Sequence, residues 1–339
     1  LDIGFDLSMY NGLLNIEFDY FHEDRTGMLL TPQVTLPVEY GLSLSQENKG
    51  EMNNDGFEFS IGTQKQWDSG LQLSVTANMS YSENNMIEVF QSDAERDNPN
   101  RTKVGQPFGT PYGYKSLGLF STADDINNDG IINTADGYNV EQFGDLHPGD
   151  VKYDDLSGPD GVPDGKIDSN DQTVIGKPVY PSTTYGLNSS VSYKGFDLSL
   201  FFQGTAGSDI NIQTFLTSPF ANNGSNTSYE YFNNRWTPVN QNAKYPRATP
   251  SPYSNNTQSS DFWMVDTSYL RLKTASLGYA LPQSVSEKLN VSRIGFTLTG
   301  QNLFTISKLD FIDPELGYDD RENSYPIMKS LSFGMNVSF

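Results

Sequence analysis

The feature that most restricts the fold of this chain is a two-residue alternation of apolar and polar side chains. In residues 331–339, "LSFGMNVSF", every odd position is apolar and every even position is small or polar. Successive side chains of a β-strand point to opposite faces, so this pattern predicts a strand with one apolar and one polar face. The stretch ends on the aromatic residue Phe339.

The alternation recurs and predicts nine spanning strands that pair as antiparallel hairpins. Three of the pairs flank tight turns at 10–12, 68–70 and 194–195. A change of phase after Leu272 predicts a β-bulge near Thr274. The apolar positions that mark the nine strands lie within residues 3–9, 16–20, 57–61, 71–81, 185–193, 196–202, 270–279, 294–298 and 331–339.

The connections between these strands fall into two classes, short turns and long loops. Apart from the tight turns and a modest connection at 281–291, they are long polar excursions. These excursions cover 28–50, 91–181, 207–262 and 305–326. Short turns at one end and long loops at the other are typical of outer-membrane β-barrels. In such a barrel the tight turns are periplasmic, and the strand pattern at 112–120 lies outside the cell or in the lumen.

The composition agrees with strands and argues against other classes of protein. Aromatic residues make up 13% of the chain, and no apolar run approaches the roughly 18 residues of a membrane helix. The net charge of −21 argues against a nucleic-acid partner, because phosphate binding requires clusters of Lys and Arg. Without cysteine, the chain has no disulfide and no thiolate metal site.

A soluble β-sandwich or propeller is the alternative fold, since its packed sheets show the same alternation. Three features favour the membrane barrel: the sorted loop lengths, predicted strands of nine to twelve residues, and tyrosines at strand ends. Single-chain bacterial barrels have an even number of strands, so nine strands imply further strands before Leu1.

Residues 125–136, "DINNDGIINTAD", have the spacing of a twelve-residue calcium loop. Asp125, Asn127 and Asp129 occupy positions 1, 3 and 5, with Gly130 at position 6 and Asp136 at position 12. Oxygen ligands at alternate positions face one point where the chain turns at the glycine, and Ca²⁺ accepts six to eight of them. The alternative is a loop of Asx-turns that binds no metal.

A second acidic stretch, 154–176, fits the calcium pattern less completely. Aligned on Gly165, its candidate ligands are Asp160, Asp164, Asp168 and Asp171. Position 3 is then Val162, which has no side-chain oxygen. Calcium at either stretch would neutralise clustered carboxylates and order a long external loop.

The remaining polar and aromatic residues suggest no catalysis. The two histidines, His22 and His147, are not spaced for a catalytic triad or a zinc pair, so we expect no enzymatic activity. Aromatic residues of the external loops could stack on a sugar or a peptide, or could pack loop against loop. These residues are Tyr112, Tyr114, Tyr231, Trp236 and Trp263.

Four longer stretches carry a family resemblance. They are "GQPFGTPYGYKSLGLF" (105–120), the stretch 169–210 that begins "SNDQTVIGKPVY", "NNRWTPVNQNAKYPRA" (233–248), and the stretch 261–315 that begins "DFWMVDTSYLRLK". In this order they resemble the C-terminal barrel of SusC/RagA-type TonB-dependent transporters, which are multi-pass proteins of the cell outer membrane in Bacteroidetes.

The resemblance implies an all-β fold, a 22-stranded transmembrane antiparallel barrel with long extracellular loops, of which residues 1–339 form the C-terminal part. In the family, an N-terminal plug fills the barrel, and a SusD-like surface lipoprotein covers it. TonB, acting through the N-terminal region, energises import of glycans or peptides. Phe339 resembles the signal that the outer-membrane insertion machinery recognises. The plug and earlier strands are expected upstream of Leu1, and the residues "GPDGVPDG" are extra relative to the family's usual acidic loop.

Three functions remain open at this point. The first is a SusC-type importer, in which this chain supplies the face that contacts the lipid bilayer, the lumen wall and the excursion 91–181 with its acidic loops. The second is a SusC-like barrel that serves as a structural or assembly scaffold without transport. The third is a secreted, calcium-stabilised β-protein that binds sugars. Sequence upstream of Leu1 would separate the first two, and solubility without detergent would identify the third.

Overall fold

The fold consists of one long β-sheet with a lobe of packed loops at one end. The computed structural model describes residues 1–32, 44–213, 217–220, 226–249, 255–316, 325 and 327–339. Parts of the predicted excursions 28–50, 207–262 and 305–326 therefore lie outside the described residues.

The described residues contain fifteen strands. They are β1 (Asp2–Met9), β2 (Leu14–Leu30), β3 (Glu47–Gln66), β4 (Gln72–Glu88), β5 (Tyr112–Gly113), β6 (Ser116–Leu119), β7 (Val151–Tyr153), β8 (Thr173–Val174), β9 (Thr183–Tyr193), β10 (Phe196–Ala206), β11 (Asp209–Asn211), β12 (Met264–Asp266), β13 (Tyr269–Ala280), β14 (Arg293–Ser307) and β15 (Ser330–Ser338).

Helices are short. They are α1 (Asp93–Asp97), α2 (Tyr229–Asn234) and α3 (Gln283–Lys288), with single 3₁₀ turns at Thr134–Asp136, Ser169–Asp171 and Asp261–Trp263. Where the chain is described, it has no helix with the length and apolar character needed to cross a membrane.

Nine of the strands form one antiparallel sheet, in the order β1-β2-β3-β4-β9-β10-β13-β14-β15. The nine predicted strands are confirmed, and each pairs with the next long strand along the chain. Strands β2, β3 and β4 reach 17, 20 and 17 residues, well beyond their predicted lengths. The ladder continues through polar residues such as 82–88, where the apolar alternation has already ended.

The tight turns close the hairpins through residues with positive φ. Tyr10 and Asn11 have φ of 55° and 58°, and Lys194 and Gly195 have φ of 47° and 86°. Two consecutive residues in this region give a turn whose twist matches that of the flanking strands. The turns at 10–12 and 194–195 therefore fix the register of their hairpins.

The predicted bulge near Thr274 is confirmed. Relative to β10, Lys273 is an extra residue on β13, because Leu272 and Thr274 pair with the consecutive residues Phe202 and Phe201. The register between β13 and β14 also shifts between Leu272 and Thr274. Beside the bulge, Arg271 and Lys273 contact the same carboxylate, Glu315, at 3.1 Å and 2.6 Å. The modest connection predicted at 281–291 contains helix α3, which the alternation did not predict.

The loop lobe, defined as the described residues of 89–182 and 207–268, has its own packed interior. Short strand pairs β5–β8, β6–β7 and β11–β12 hold its segments together. Three groups of buried side chains fill it, and Leu309 and Ile312 join the first. The groups are Ile210, Ile212, Tyr231, Tyr245 and Trp263; Tyr114, Val151, Tyr153 and Ile167; and Phe120, Ile132 and Leu146.

A buried ion pair joins the two halves of the loop lobe. Asp150 is fully buried, and its carboxylate accepts hydrogen bonds from Arg247 Nε at 2.7 Å and from Asn256 Nδ2 at 2.8 Å. Asn256 in turn accepts the backbone N–H of Val151. A carboxylate enclosed in this way needs its cation, because an unpaired buried charge is strongly destabilising.

We predict that Arg247→Met loosens the loop lobe by about 3–5 kcal/mol, because it leaves the Asp150 carboxylate buried without a cation. Hydrogen exchange of residues 147–153 and 245–249 in the complete protein measures the loss. Arg235→Met is the matched control, since the Arg235 guanidinium stacks on Phe232, its side chain is only partly buried, and it has no carboxylate partner among the described residues. Equal exchange in the two variants would contradict the role of the pair.

Candidate functional site

The apolar face of the sheet is a continuous belt that no part of the described chain covers. Apolar residues on neighbouring strands stand directly opposite one another. One such row is Leu73, Val191, Leu198, Leu277, Leu298 and Phe333. Ile3 is 60% exposed and Phe333 71% exposed. An exposed apolar surface of this extent indicates contact with a partner or with lipid.

The height of the belt matches a membrane. On β4, Leu73 and Tyr81 share the apolar face and lie eight residues apart, which is about 26 Å along a strand. The apolar band of outer-membrane barrels is roughly 25 Å tall, measured along the membrane normal, and strand tilt shortens the projected height of β4 to about 20 Å. Tyr81 marks the upper end of this span with an aromatic ring, and Trp67 adds a second ring below Leu73.

Ring contacts run across the belt from strand to strand. The centroids of Phe5 and Phe18 are 5.7 Å apart, and those of Phe57 and Tyr81 are 5.6 Å apart. Aromatic pairs at such distances add to the stability of facing strands. At the other edge of the sheet, Phe296 stacks on Phe333 with centroids 6.1 Å apart.

The opposite face of the sheet is polar and acidic. Glu17, Asp19 and Glu58 line a shallow depression of about 320 Å³, together with Ser60 and Ser80. Asp19 lies over Gly4, where an added Cβ would come within 1.8 Å of its carboxylate. Gly4 thus makes room for a carboxylate on the polar face. In a closed barrel this face would line the lumen.

A charged network lies on the polar face near the loop lobe. Arg271 is almost fully buried and contacts Asp313 at 2.8 Å and Glu315 at 3.1 Å. Thr305 accepts a further hydrogen bond from Arg271 Nε at 2.7 Å. These contacts fold the segment after β14 back over β13, so the network closes part of the polar face at its long-loop end.

The first acidic loop, 125–136, has its sharp turn at Gly130, with φ of 84°. Asp125 accepts the N–H groups of Asp129 and Gly130, at 3.1 Å and 2.9 Å. Asp136 accepts three N–H groups, two on Oδ1 and one on Oδ2. These donors are Ile126, Asn127 and Asn133. Asn127 Nδ2 also donates to Asp129 Oδ2 at 2.9 Å, so the side chains of positions 3 and 5 are in contact.

The second acidic loop repeats this pattern of hydrogen bonds. Asp155 accepts the N–H groups of Asp164 and Gly165, at 3.3 Å and 2.7 Å. Asp171 accepts three N–H groups in the arrangement seen at Asp136. These donors are Leu156, Ser157 and Asp168. Gly165 turns the chain with φ of 85°. The two loops are therefore structurally equivalent.

The hydrogen bonds correct the alignment of the second loop. They place Asp155 at position 1 and Ser157, which has a side-chain oxygen, at position 3. Alignment on Gly165 had instead placed Asp160 at position 1 and Val162 at position 3. Five extra residues between positions 3 and 5 account for the difference. Asp160 lies in this inserted turn and is exposed. Asp164, Asp168 and Asp171 keep their predicted places.

The two loops differ in their surroundings. Hydrogen bonds from backbone N–H groups lower the pKa of the Asp136 carboxyl. The N–H group of Asn127 has the largest effect. Burial raises the pKa of Asp171, which is fully enclosed. Ile132 and Ile167, at position 8 of each loop, are buried in the lobe. Both loops are thus anchored, but within the described residues no three His, Cys, Asp or Glu side chains converge as a metal site.

The aromatic residues singled out in the sequence lie mainly inside the loop lobe. Tyr114, Tyr231, Trp236 and Trp263 are no more than 7% exposed, so their rings pack loop against loop. Tyr112 is half-buried, and its hydroxyl donates to the carbonyl of Thr102 at 2.8 Å. None of the five presents an open ring face to a ligand.

Exposed rings occur instead at a groove between the lobe and the strand ends. The groove has a volume of about 580 Å³, and Phe108, Tyr180 and Asn84 line it. Phe108 and Tyr180 are 59% and 70% exposed. Sequence reasoning missed them because they lie outside the alternation. Their proline neighbours, in "QPF" and "VYP", are the signal that marks a fixed loop.

Known sequences share similarity with the whole of this chain. TonB-dependent receptors P3 and P26 of Formosa agariphila are 29% and 30% identical to it over 361 residues, which is all of this chain and 34% of each receptor. The TonB-dependent receptor SusC of Bacteroides thetaiotaomicron is 23% identical over 349 residues. The chain spans about a third of the length of these relatives. No protein-family model matches it.

Solved structures show the same fold. The RagAB peptide importer in its closed-closed state superposes with a TM-score of 0.70 and 21% identity, over the whole of this chain and 35% of the compared chain. Its open-open state also gives a TM-score of 0.70, with 23% identity. The uncovered belt and the order of the strands therefore match the C-terminal part of an outer-membrane barrel.

We predict that Arg at Phe333, in the middle of β15 on the apolar face, destabilises the membrane-inserted protein by roughly 2–4 kcal/mol, because this side chain faces the bilayer interior. Arg at Leu73, at the lower end of the belt, should cost only about 0–1 kcal/mol. Arg at Ser74 or Ser332, one residue away on the polar face, is the matched control and should be tolerated. Denaturant titration of the complete protein in phospholipid vesicles measures the difference. Similar losses on both faces would refute the assignment of the belt.

Proposed function

Because this chain is the C-terminal part of a SusC/RagA-type TonB-dependent receptor of the outer membrane, we propose that the complete receptor imports nutrients as part of a two-component system. The imported molecules would be glycans or peptides, captured together with a SusD-like surface lipoprotein, and TonB would supply the energy. The observation that carries the proposal is the coverage of the whole chain by receptors of this family, with the same fold in a peptide importer.

The two faces of the sheet suit this function. The belt would anchor the barrel in lipid, and the acidic face would form part of a polar, water-filled lumen. The loop lobe would lie outside the cell, because long loops are external in outer-membrane barrels. Its packed interior gives a surface-lipoprotein partner a firm platform at the barrel mouth. Outer-membrane location removes the secreted sugar-binding protein from the three functions considered above.

The groove lined by Phe108 and Tyr180 is a candidate place for ligand or partner contact. Large exposed rings on a fixed loop offer contact area at small entropic cost. Phe108 is held there because its N–H donates to Asn84 Oδ1 at 2.7 Å. Either a sugar ring or an apolar peptide side chain could stack on these rings.

We predict that a host strain without the receptor loses uptake of one class of glycan or peptide, and that inactivating TonB causes the same loss. Uptake of labelled oligosaccharide and peptide mixtures measures this. Phe333→Arg in the complete receptor should behave as the deletion, and Ser332→Arg as the parent. A scaffold would show the opposite result: unchanged uptake without the receptor, with loss of a partner protein from the cell surface.

We further infer that the two acidic loops bind calcium. The oxygen-bearing side chains at positions 1, 3 and 5 are of the type that Ca²⁺ prefers: Asp125, Asn127 and Asp129 in the first loop, and Asp155, Ser157 and Asp164 in the second. A carboxylate that accepts N–H groups retains lone pairs for a cation. A cation would also offset the desolvation of the Asp171 carboxylate. Its role would be to stiffen the lobe, with Ile132 and Ile167 transmitting the effect.

Calcium at a hundred times its dissociation constant should stabilise the lobe by about 2.7 kcal/mol. Hydrogen exchange of residues 120–175 in the complete receptor, in chelator and then in excess Ca²⁺, tests this. Asp125→Asn and Asp155→Asn should each reduce the calcium-dependent protection in their own loop. Asp160→Asn is the control and should have no effect, since Asp160 lies in the inserted turn. A larger effect of Asp160→Asn than of Asp155→Asn would contradict the corrected alignment.

A further inference from the structure

The end of the sheet that carries the short turns differs in charge from the rest of the molecule. We define the short-turn rim as residues 10–13, 65–71, 193–196 and 281–293. It contains four cations and two carboxylates, a balance of +2. The remainder of the chain has 17 cations and 40 carboxylates, a balance of −23. Positive charge in an acidic protein is thus concentrated at one end of the belt.

The cations of the rim form no ion pair with any of the described residues. Over the ranges that the structure describes, no carboxylate lies within 4.0 Å of the charged groups of Lys65, Lys194, Lys288 or Arg293. At the other end of the molecule, many cations have such a partner, among them Lys103, Lys244, Arg247, Arg271 and Lys308. The rim therefore keeps cations that can contact a partner outside the chain.

Two of these cations are held beside aromatic rings. Lys65 Nζ lies 5.7 Å from the centre of the Trp67 ring, and Lys194 Nζ lies 5.0 Å from that of Tyr193. Both distances fall within the range of cation–π attraction. Trp67 and Tyr193 are 37% and 39% exposed, so each pair presents an apolar ring and an ammonium group together.

The register places Lys65 at the margin of the belt. It stands opposite Leu73 and therefore on the apolar face, and Leu73 stands opposite Val191. Tyr193 is two residues beyond Val191 on that same face of β9. The two pairs are thus separated by two strand spacings, about 10 Å, which leaves room for neighbouring lipid molecules.

We propose that the short-turn rim binds anionic phospholipids, with Lys65 and Lys194 each contacting a phosphate beside its aromatic neighbour. Lipid is the partner because the rim continues the belt: a molecule whose chains lie on Val75 and Ala77, further along the apolar face of β4, has its phosphate at the level of Lys65. Lysines near a bilayer extend their ammonium groups to the head-group region, and aromatic rings lie at the same depth. The inference rests on the outward-facing belt and not on nutrient import, so the two can fail separately.

Local lipid preference around the rim tests the proposal in the complete receptor. A fluorophore attached at Ser69→Cys, in the turn beside Trp67, is quenched by head-group spin-labelled phosphatidylglycerol or phosphatidylethanolamine in mixed vesicles. The parent should favour phosphatidylglycerol by several-fold, and Lys65→Gln with Lys194→Gln should lower the preference by up to about fivefold per lysine. Because the interaction is electrostatic, 0.5 M salt should also lower it in the parent.

Two controls accompany this test. Lys166→Gln with Lys177→Gln removes two exposed lysines of the loop lobe and should leave the preference unchanged, and Lys65→Arg with Lys194→Arg should retain it. Equal quenching by the two phospholipids in the parent would overturn the proposal. So would an unchanged preference in the glutamine variant, or lipid A displacing phosphatidylglycerol from the rim. If the glutamine variant failed to insert, the salt series on the parent would decide.

Discussion

The structure depends on one constraint: the backbone N–H and C=O groups of each strand must pair with neighbouring strands, while one face of the strand contacts hydrocarbon. No water is available in that region to replace a missing partner. Pairing each long strand with the next, through turns such as Tyr10–Asn11 and Lys194–Gly195, meets this requirement with the least connecting chain. Above the belt the constraint is relaxed. There the chain leaves the sheet in long excursions, and these pack around a core of their own.

The loop lobe is held by polar contacts as much as by apolar ones. Asp150 brings Arg247 and Asn256 to a point that is closed to solvent, and Ile132 and Ile167 fix the acidic loops to the same interior. The shape of these loops is set by their own N–H groups, which bind Asp136 and Asp171. A bound cation would reduce the repulsion between the carboxylates and make the loops more rigid. It would not have to create the turn that ligation requires, because the backbone already has it.

Much of the sheet could be predicted from the sequence, because a period of two is the direct result of strand geometry. The alternation located nine strands, their faces and the bulge near Thr274. It could not locate strand ends, because residues such as 82–88 pair without a hydrophobic pattern. The position of Asp155 was missed for a different reason: the five extra residues lie within the loop, and counting back from Gly165 crosses them. The burial of Trp236 and Trp263 depends on contacts between distant segments, which spacing does not show.

The pairing of charges follows from the surroundings of each end of the molecule. In the loop lobe and at the adjoining end of β13, an isolated buried charge is strongly destabilising, so Arg247 and Arg271 have carboxylates at 2.7–2.8 Å. At the short-turn rim the lysines are exposed, and burial does not require a partner. What remains to be explained is why positive residues occur there in a chain with a net charge of −21. A negatively charged lipid surface at the edge of the belt accounts for both their sign and their position.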